Sequence, residues 1–184
     1  MGYAQRYHSL QKKYGIIWWA KELFVSLHIK FESMNVSEEQ RQKDERYMQM
    51  ALDEARKAYK EGEIPIGAVV VCKERVIARA HNLTETLCDV TAHAEMQAIT
   101  AAANTLGGKY LTECTLYVTV EPCTMCAGAI GWAQIPRIVY GTADVKRGYQ
   151  AYAPRALHPK ATITCGILEE ECRQLMLDFF SHRR

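Results

Sequence analysis

Thr91-Ala92-His93-Ala94-Glu95 and Glu121-Pro122-Cys123-Thr124-Met125-Cys126 hold the residue types of a hydrolytic metal site. One imidazole, His93, and two thiols, Cys123 and Cys126, offer three protein ligands. The fourth position of a tetrahedral zinc is then left for water, which is what separates catalytic from structural zinc sites. Glu95 stands close enough to His93 to move protons without itself binding metal. The separation of the two motifs is of the size that one βαβ crossover needs. Neither motif decides alone: C-x-x-C also forms half of a zinc ribbon or a thioredoxin-like dithiol, and a chance His at a helix start gives H-x-E. Together, each at a helix start that follows β structure, they point to hydrolysis. Zinc lowers the pKa of its water to about 7. Attack on an amino-bearing ring carbon then needs one proton for the ring nitrogen and one for the departing amine, and Glu95 is placed to carry both.

The elements that must present these groups can be read from the pattern around them. Ser37 is expected to cap a helix running to Glu61, with Glu38 and Glu39 in its first turn and Met48, Ala51, Leu52, Ala55, Ala58 and Tyr59 on one stripe. Gly62 ends it. Ile66 to Cys72 and Val76 to His81 are β-rich runs joined by Lys73-Glu74-Arg75, hence a hairpin. Asn82 to Val90 reads as a loop, and Thr91 as the cap of an Ala-rich helix from His93 to about Leu106, closed by Gly107-Gly108. Thr115 to Val120 is a strand; Pro122 breaks it, so a helix from Cys123 to about Trp132 carries both thiols at its positive end. Arg137 to Tyr140 is a short strand, Gly141 to Pro159 irregular, and Ala161 to Cys165 another strand. A last helix begins near Leu168, with Leu168, Cys172, Leu175, Met176 and Phe179 on its stripe.

At 184 residues, 48% hydrophobic and 24% charged, the chain fits one domain plus some surplus. The formal net charge of +2 decides nothing about nucleic acid, because phosphates respond to local clusters of Lys and Arg. Seven cysteines is an odd number, and Cys72, Cys114 and Cys165 sit in apolar runs where a thiol behaves as a small buried hydrophobe. A disulfide framework is not expected; Cys88 and Cys172 read as structural thiols, and a reducing, cytoplasmic setting follows. Residues 1–36 form an N-terminal extension, basic and aromatic. Its apolar run Tyr14 to Ala20 is too short to span a bilayer and lacks the marks of a signal peptide. It reads as a poorly ordered leader or a partner-binding amphipathic helix, and the compositional break before Asn35 makes Met34 the expected native start.

Thr-Ala-His-Ala-Glu followed by Glu-Pro-Cys-Thr-Met-Cys-Ala-Gly-Ala resembles the signature of the cytidine and nucleoside deaminase superfamily, whose H-x-E and P-C-x-x-C zinc chemistry is general. From about Arg46 to Arg184 the chain is similar to the bacterial tRNA-specific adenosine deaminases, which convert the wobble adenosine of an arginine tRNA anticodon to inosine. Further pieces carry this resemblance: Glu63 to Val69, His81-Asn82, Tyr117-Val118-Thr119, Gly141 to Asp144, and Glu171-Cys172 to Phe179-Phe180 with terminal arginines. It implies a deaminase domain over residues 37–184, α/β in class: a three-layer α/β/α sandwich around a mixed five-stranded sheet. It also implies one zinc per subunit on His93, Cys123 and Cys126, with Glu95 as proton shuttle. Asn82 would hydrogen-bond a flipped base, Asp144 would stand on the substrate side, and backbone at Ala94 and near Pro122 would contact the base or orient water. Phe179 and Phe180, with Arg183 and Arg184, would help hold a tRNA anticodon stem-loop, and the enzyme would be a cytoplasmic homodimer away from membranes.

The residues themselves add an RNA footprint: Arg137, Lys146, Arg147, Arg155 and Lys160 share a span with one acid, Asp144, and Tyr149 and Tyr152 offer stacking planes. Two departures from the family pattern stand out. Val90 replaces a common proline, and Gly148 to His158 lacks the usual Gly/Ala/Ser-rich sequence, which bears on RNA context preference more than on catalysis. Two other functions share the zinc motifs: a deaminase of guanine, cytosine or a free nucleoside, and a zinc-stabilised or redox-active binding module, which would have no need of Glu95.

Overall fold

The computed structural model describes residues 37–182. Contacts divide the chain into Met1–Gln42 and Lys43–Arg184; the described part of the first unit, residues 37–42, is helical. The expectations for residues 1–36, the start at Met34 among them, and for Arg183 and Arg184 lie outside the described residues. Ser37, expected as a cap, is itself helical. Among the described residues, no helix is long and apolar enough to cross a membrane.

Helix α1 covers residues 37–60. It is followed by β1 (Gly67–Cys72), β2 (Arg75–His81), α2 (Ala94–Leu106), β3 (Cys114–Val120), α3 (Thr124–Trp132), β4 (Arg137–Thr142), the single turn α4 (Tyr149–Tyr152), β5 (Thr162–Cys165) and α5 (Glu169–Ser181). The five strands form one sheet in the order β2-β1-β3-β4-β5. Strand β1 is antiparallel to both neighbours, while β3, β4 and β5 are mutually parallel. This is the mixed five-stranded sheet that the resemblance implied.

Alternation of side chains along the strands makes the sandwich. Ala68, Val70, Leu116 and Val118 point into a core with Ala94, Ala98, Ala127 and Ile130 of α2 and α3. Val69, Val71, Tyr117 and Val139 point the other way, into a second core with Met48, Ala51 and Leu52 of α1 and Cys172 of α5. On this face β1 runs hard against α1: a Cβ on Gly67 would lie 2.1 Å from the Ala51 carbonyl oxygen.

The directions of the strands place the site. Because β1 alone runs against the others, β2, β3 and β4 all end at the same edge of the sheet. The segments carrying Asn82 and His93, Glu121 and Cys123, and Asp144 therefore emerge side by side, at the carboxyl ends of strands where α/β folds bind ligands.

The hairpin is present, with Lys73 and Glu74 both at positive φ (48° and 63°) as its two-residue turn. Three expectations need correction. Strand β4 continues past Tyr140 to Thr142, because Thr142 still pairs with Val120 of β3. Helix α2 begins after His93, not at a Thr91 cap; His93 is the N-cap residue and no side chain caps the helix. Thr91 turns back instead, its N–H and hydroxyl both donating to Asp89 Oδ1 at 2.8 and 2.7 Å. Of the three thiols expected to be buried, only Cys114 is; Cys72 is half-buried at a strand end and Cys165 is exposed on the edge strand β5. All seven cysteines are free.

Candidate active site

His93 and Cys123 are the N-cap residues of α2 and α3, both in extended backbone, and Cys126 lies in the first turn of α3. With no side-chain capping bond at either end, both side chains remain available to a ligand. His93 Nδ1 lies 3.6 Å from Cys123 Sγ and 3.5 Å from Cys126 Sγ. Tetrahedral bonds of about 2.3 Å to sulfur and about 2.05 Å to nitrogen require an N···S separation of about 3.6 Å. The three donor atoms all lie within 4.8 Å of one another, so donor set and spacing fit zinc. Both positive helix ends also favour the charge these thiolates carry. A hydrogen bond from Cys126, opposed by burial and aided by His93, pulls the Cys123 thiol down to about 4. Cys126, holding the proton of that bond in a buried place, is pushed up.

Glu95 is 3% exposed and its Oε2 has no hydrogen-bond partner. Burial pushes its carboxyl up to about 7, with its own backbone N–H and His93 acting the other way. A buried carboxyl that titrates near neutrality and has an uncommitted oxygen is suited to taking up and releasing protons.

Two further carboxylates, to which sequence reasoning assigned no role, build the walls. Glu63, fully buried, accepts from Asn82 Nδ2 at 2.9 Å, from the Thr86 N–H at 2.7 Å and from the Glu85 N–H at 3.2 Å. Asn82 Nδ2 also reaches Thr84 Oγ1 at 2.9 Å, so the amide is held by its nitrogen and Oδ1 keeps its acceptor capacity. Glu121, 7% exposed, accepts from the N–H of Asp144 at 3.1 Å and of Gln150 at 3.1 Å, tying the segment after β4 to the metal-ligand turn. Gly148 is required there, since a Cβ would stand 2.4 Å from the Glu121 carboxyl carbon. The signal for Glu121 was an acid between an apolar strand and Pro122, and for Glu63 an acid two residues before Pro65 at the head of the apolar run that becomes β1.

The structure sorts the substrate-side expectations. Ala94 is fully buried at the start of α2, and the Pro122 carbonyl already accepts from the Tyr149 N–H at 2.9 Å. Asp144 is partly buried and uses Oδ1 to accept from the N–H groups of Lys146 and Arg147, at 2.9 and 3.1 Å. Phe179 is buried edge-on against Tyr59 of α1, whereas Phe180 is exposed. Two members of the expected RNA footprint are corrected. Arg137 is clamped by Asp44 of α1, at 2.8 and 2.7 Å, and also touches the Tyr117 hydroxyl, so it is committed to the fold. Tyr149 is 2% exposed and anchors α4 in the core, leaving Tyr152 as the available ring. Lys146, Arg147, Arg155 and Lys160 are exposed.

Residues 41–142 match the family described as "Cytidine and deoxycytidylate deaminase zinc-binding region". The chain is 44% identical over 146 residues, 77% of its length, to the tRNA-specific adenosine deaminase of Bacillus subtilis (strain 168), of which it covers 91%. It is 43% identical over 143 residues, 75% of its length, to the protein of that name from Agrobacterium fabrum, covering 94%. Among solved structures it resembles one from work on A-to-I editing by tRNA:A34 deaminases at the wobble position, with a TM-score of 0.67 and 44% identity over 71% of this chain and 98% of that one. With His93, Cys123 and Cys126 grouped as a candidate metal site and a family match over more than half of its length, the chain belongs to the cytidine and deoxycytidylate deaminase zinc-binding family.

Proposed function

We propose that this deaminase hydrolyses the wobble adenosine of tRNA to inosine, taking the anticodon stem-loop of an arginine tRNA as a cytoplasmic homodimer. The observation that carries this reading is the match to tRNA-specific adenosine deaminases along nearly their whole length, with the metal triad and Glu95 in one site. Zinc, when bound by His93, Cys123 and Cys126, supplies a water acidic enough to attack at neutral pH. Glu95 accepts the proton of the attacking water, passes it to the ring nitrogen of the base, and later delivers one to the departing ammonia. Asn82, held by Glu63, presents Oδ1 to the base and orients it. Phe180 and the exposed cations are surfaces that RNA can use. Trp132, 85% exposed at the end of α3, leaves a large apolar ring uncovered on the single chain, which suits contact with a second subunit.

The test is an incubation of the zinc-loaded chain with an arginine-tRNA anticodon stem-loop, adenosine, guanine and cytosine in parallel, reading inosine and ammonia. Inosine from the stem-loop alone is expected. Ammonia from a free base or nucleoside with no inosine in RNA would move the substrate to the small-molecule class. No product from any of them, together with a chain that retains no zinc after loading and forms a reversible Cys123–Cys126 disulfide, would favour a redox module. Light scattering in solution should give twice the chain mass; a monomer that is fully active would remove the dimer from the proposal.

A further inference from the structure

We propose that Cys72 and Cys114 are a thiol pair that a small-molecule disulfide oxidises to a cross-strand disulfide, a reversible modification that braces the sheet at the edge remote from the metal triad. Cys72 is the last residue of β1 and Cys114 the first of β3, and the two stand directly opposite each other in the antiparallel ladder. Opposed residues in such a ladder have Cα atoms about 4.5 or 5.5 Å apart, and both values lie within the roughly 4.4–6.8 Å that a disulfide spans. Their side chains also leave the sheet on one face: Cys114 is 1% exposed in the core shared with α2 and α3, and Cys72 packs against that core.

The surroundings keep this register and leave one sulfur within reach. The next residues outward, Lys73 and Glu113, are joined by an ion pair of 2.9 Å. On its other side β1 pairs with β2, where Cys72 faces Arg75. Strand β1 is thus fixed from both sides, and the thiols meet without a shift of either strand. Cys72 is half-buried and Cys114 buried, so a small disulfide meets Cys72 first. Burial, and after it Cys72 alongside, push the Cys114 thiol up to about 12, which keeps it protonated until Cys72 has reacted.

Thiol–disulfide exchange forms the bond in two steps. The Cys72 thiolate attacks one sulfur of the reagent RSSR, whose S–S bond breaks; RS⁻ leaves and a mixed disulfide remains on Cys72. Cys114 then gives up its proton and attacks the Cys72 sulfur, and the second RS⁻ departs. The two protein thiols lose two electrons and two protons, and RSSR is reduced to two RSH. The new bond closes residues 72–114 into a loop that contains Asn82, His93 and Glu95. Restricting the unfolded chain in this way stabilises the fold, while the metal triad, at the opposite edge of the sheet, keeps its geometry.

The experiment incubates the zinc-loaded full chain with glutathione disulfide, blocks the remaining thiols, and maps linked peptides by mass spectrometry without reduction. A peptide carrying Cys72 should be found joined to one carrying Cys114, the pair lighter by two hydrogens than the two reduced peptides together. The thermal midpoint should rise by about 5–15 °C with zinc content unchanged, and dithiothreitol should reverse both the link and the rise. Cys72→Ser should form no link and show no rise, which also controls for glutathione added at the exposed Cys88 and Cys165. Glutathione held on Cys72 with no link to Cys114, or a link that forms only when urea is present during oxidation, would overturn the site. An oxidised wild type whose midpoint moves no more than that of Cys72→Ser would overturn the bracing role.

Discussion

Glu95 and Glu63 are both buried carboxylates, and their different surroundings set different tasks. Glu95 has an oxygen without a partner and is pushed up to about 7 by burial, so it can exchange protons near neutral pH. Glu95→Gln should therefore bind zinc normally, measured by metal analysis, yet lose about 10²–10⁴-fold in kcat. At Glu63, burial works to raise the pKa, but N–H groups of Thr86 and Glu85 and the hydroxyl of Thr84 outweigh it and hold the carboxyl below its usual range. The folded state thus prefers the ionised form, and its stabilising effect is complete above the ordinary value of 4.5 and lost as pH falls through the lowered one. Glu63→Gln should cost about 1–3 kcal/mol at pH 7, and the gap in urea midpoint between the two proteins should narrow as pH falls below that ordinary value.

At the scale of elements, a buried ion pair and a close backbone approach are among the contacts that tie α1 to the sheet. Asp44 of α1 is 3% exposed in its side chain and holds Arg137 at the start of β4, whose side chain is 24% exposed. Arg137→Met would leave that carboxylate buried without its cation, so a loss of about 2 kcal/mol or more in stability is expected. Because Arg137 serves the fold, the salt dependence of activity on RNA should stay that of wild type. Gly67 is where β1 meets the α1 backbone, and Gly67→Ala would bring a methyl within 2.1 Å of the Ala51 carbonyl oxygen. The helix must shift, which should lower the urea midpoint by an amount equivalent to about 1–3 kcal/mol. Such a shift would also disturb Glu63, in the connection between these two elements.

Across the whole molecule, the metal joins two segments that the chain separates. His93 enters from α2 and Cys123 and Cys126 from α3, so zinc binding should link the two helices. Stripping zinc with a chelator should abolish deamination and lower the thermal midpoint, which should then rise with the free zinc concentration as ligand linkage requires. One zinc per chain should restore both. The helical and strand content measured by circular dichroism should persist in the stripped protein, because the two cores on either face of the sheet are built from side chains other than the three ligands.

The sequence by itself determined the chemistry and the order of elements. The candidate metal ligands and the proposed proton shuttle are legible as residue types at short spacings on helix starts, and strands and helices announce themselves through local periodicity. It even placed both ligand-bearing helix ends after β structure, from which their convergence at one sheet edge follows. Only the tertiary structure decided which of several similar side chains are free to meet a substrate. Arg137 and Arg147 look alike along the chain, but the partner that commits Arg137 is Asp44, 93 positions away. Tyr149 and Tyr152, or Phe179 and Phe180, differ in burial alone. Burial and long-range pairing depend on what packs from the far side of the sheet, and no local spacing records that.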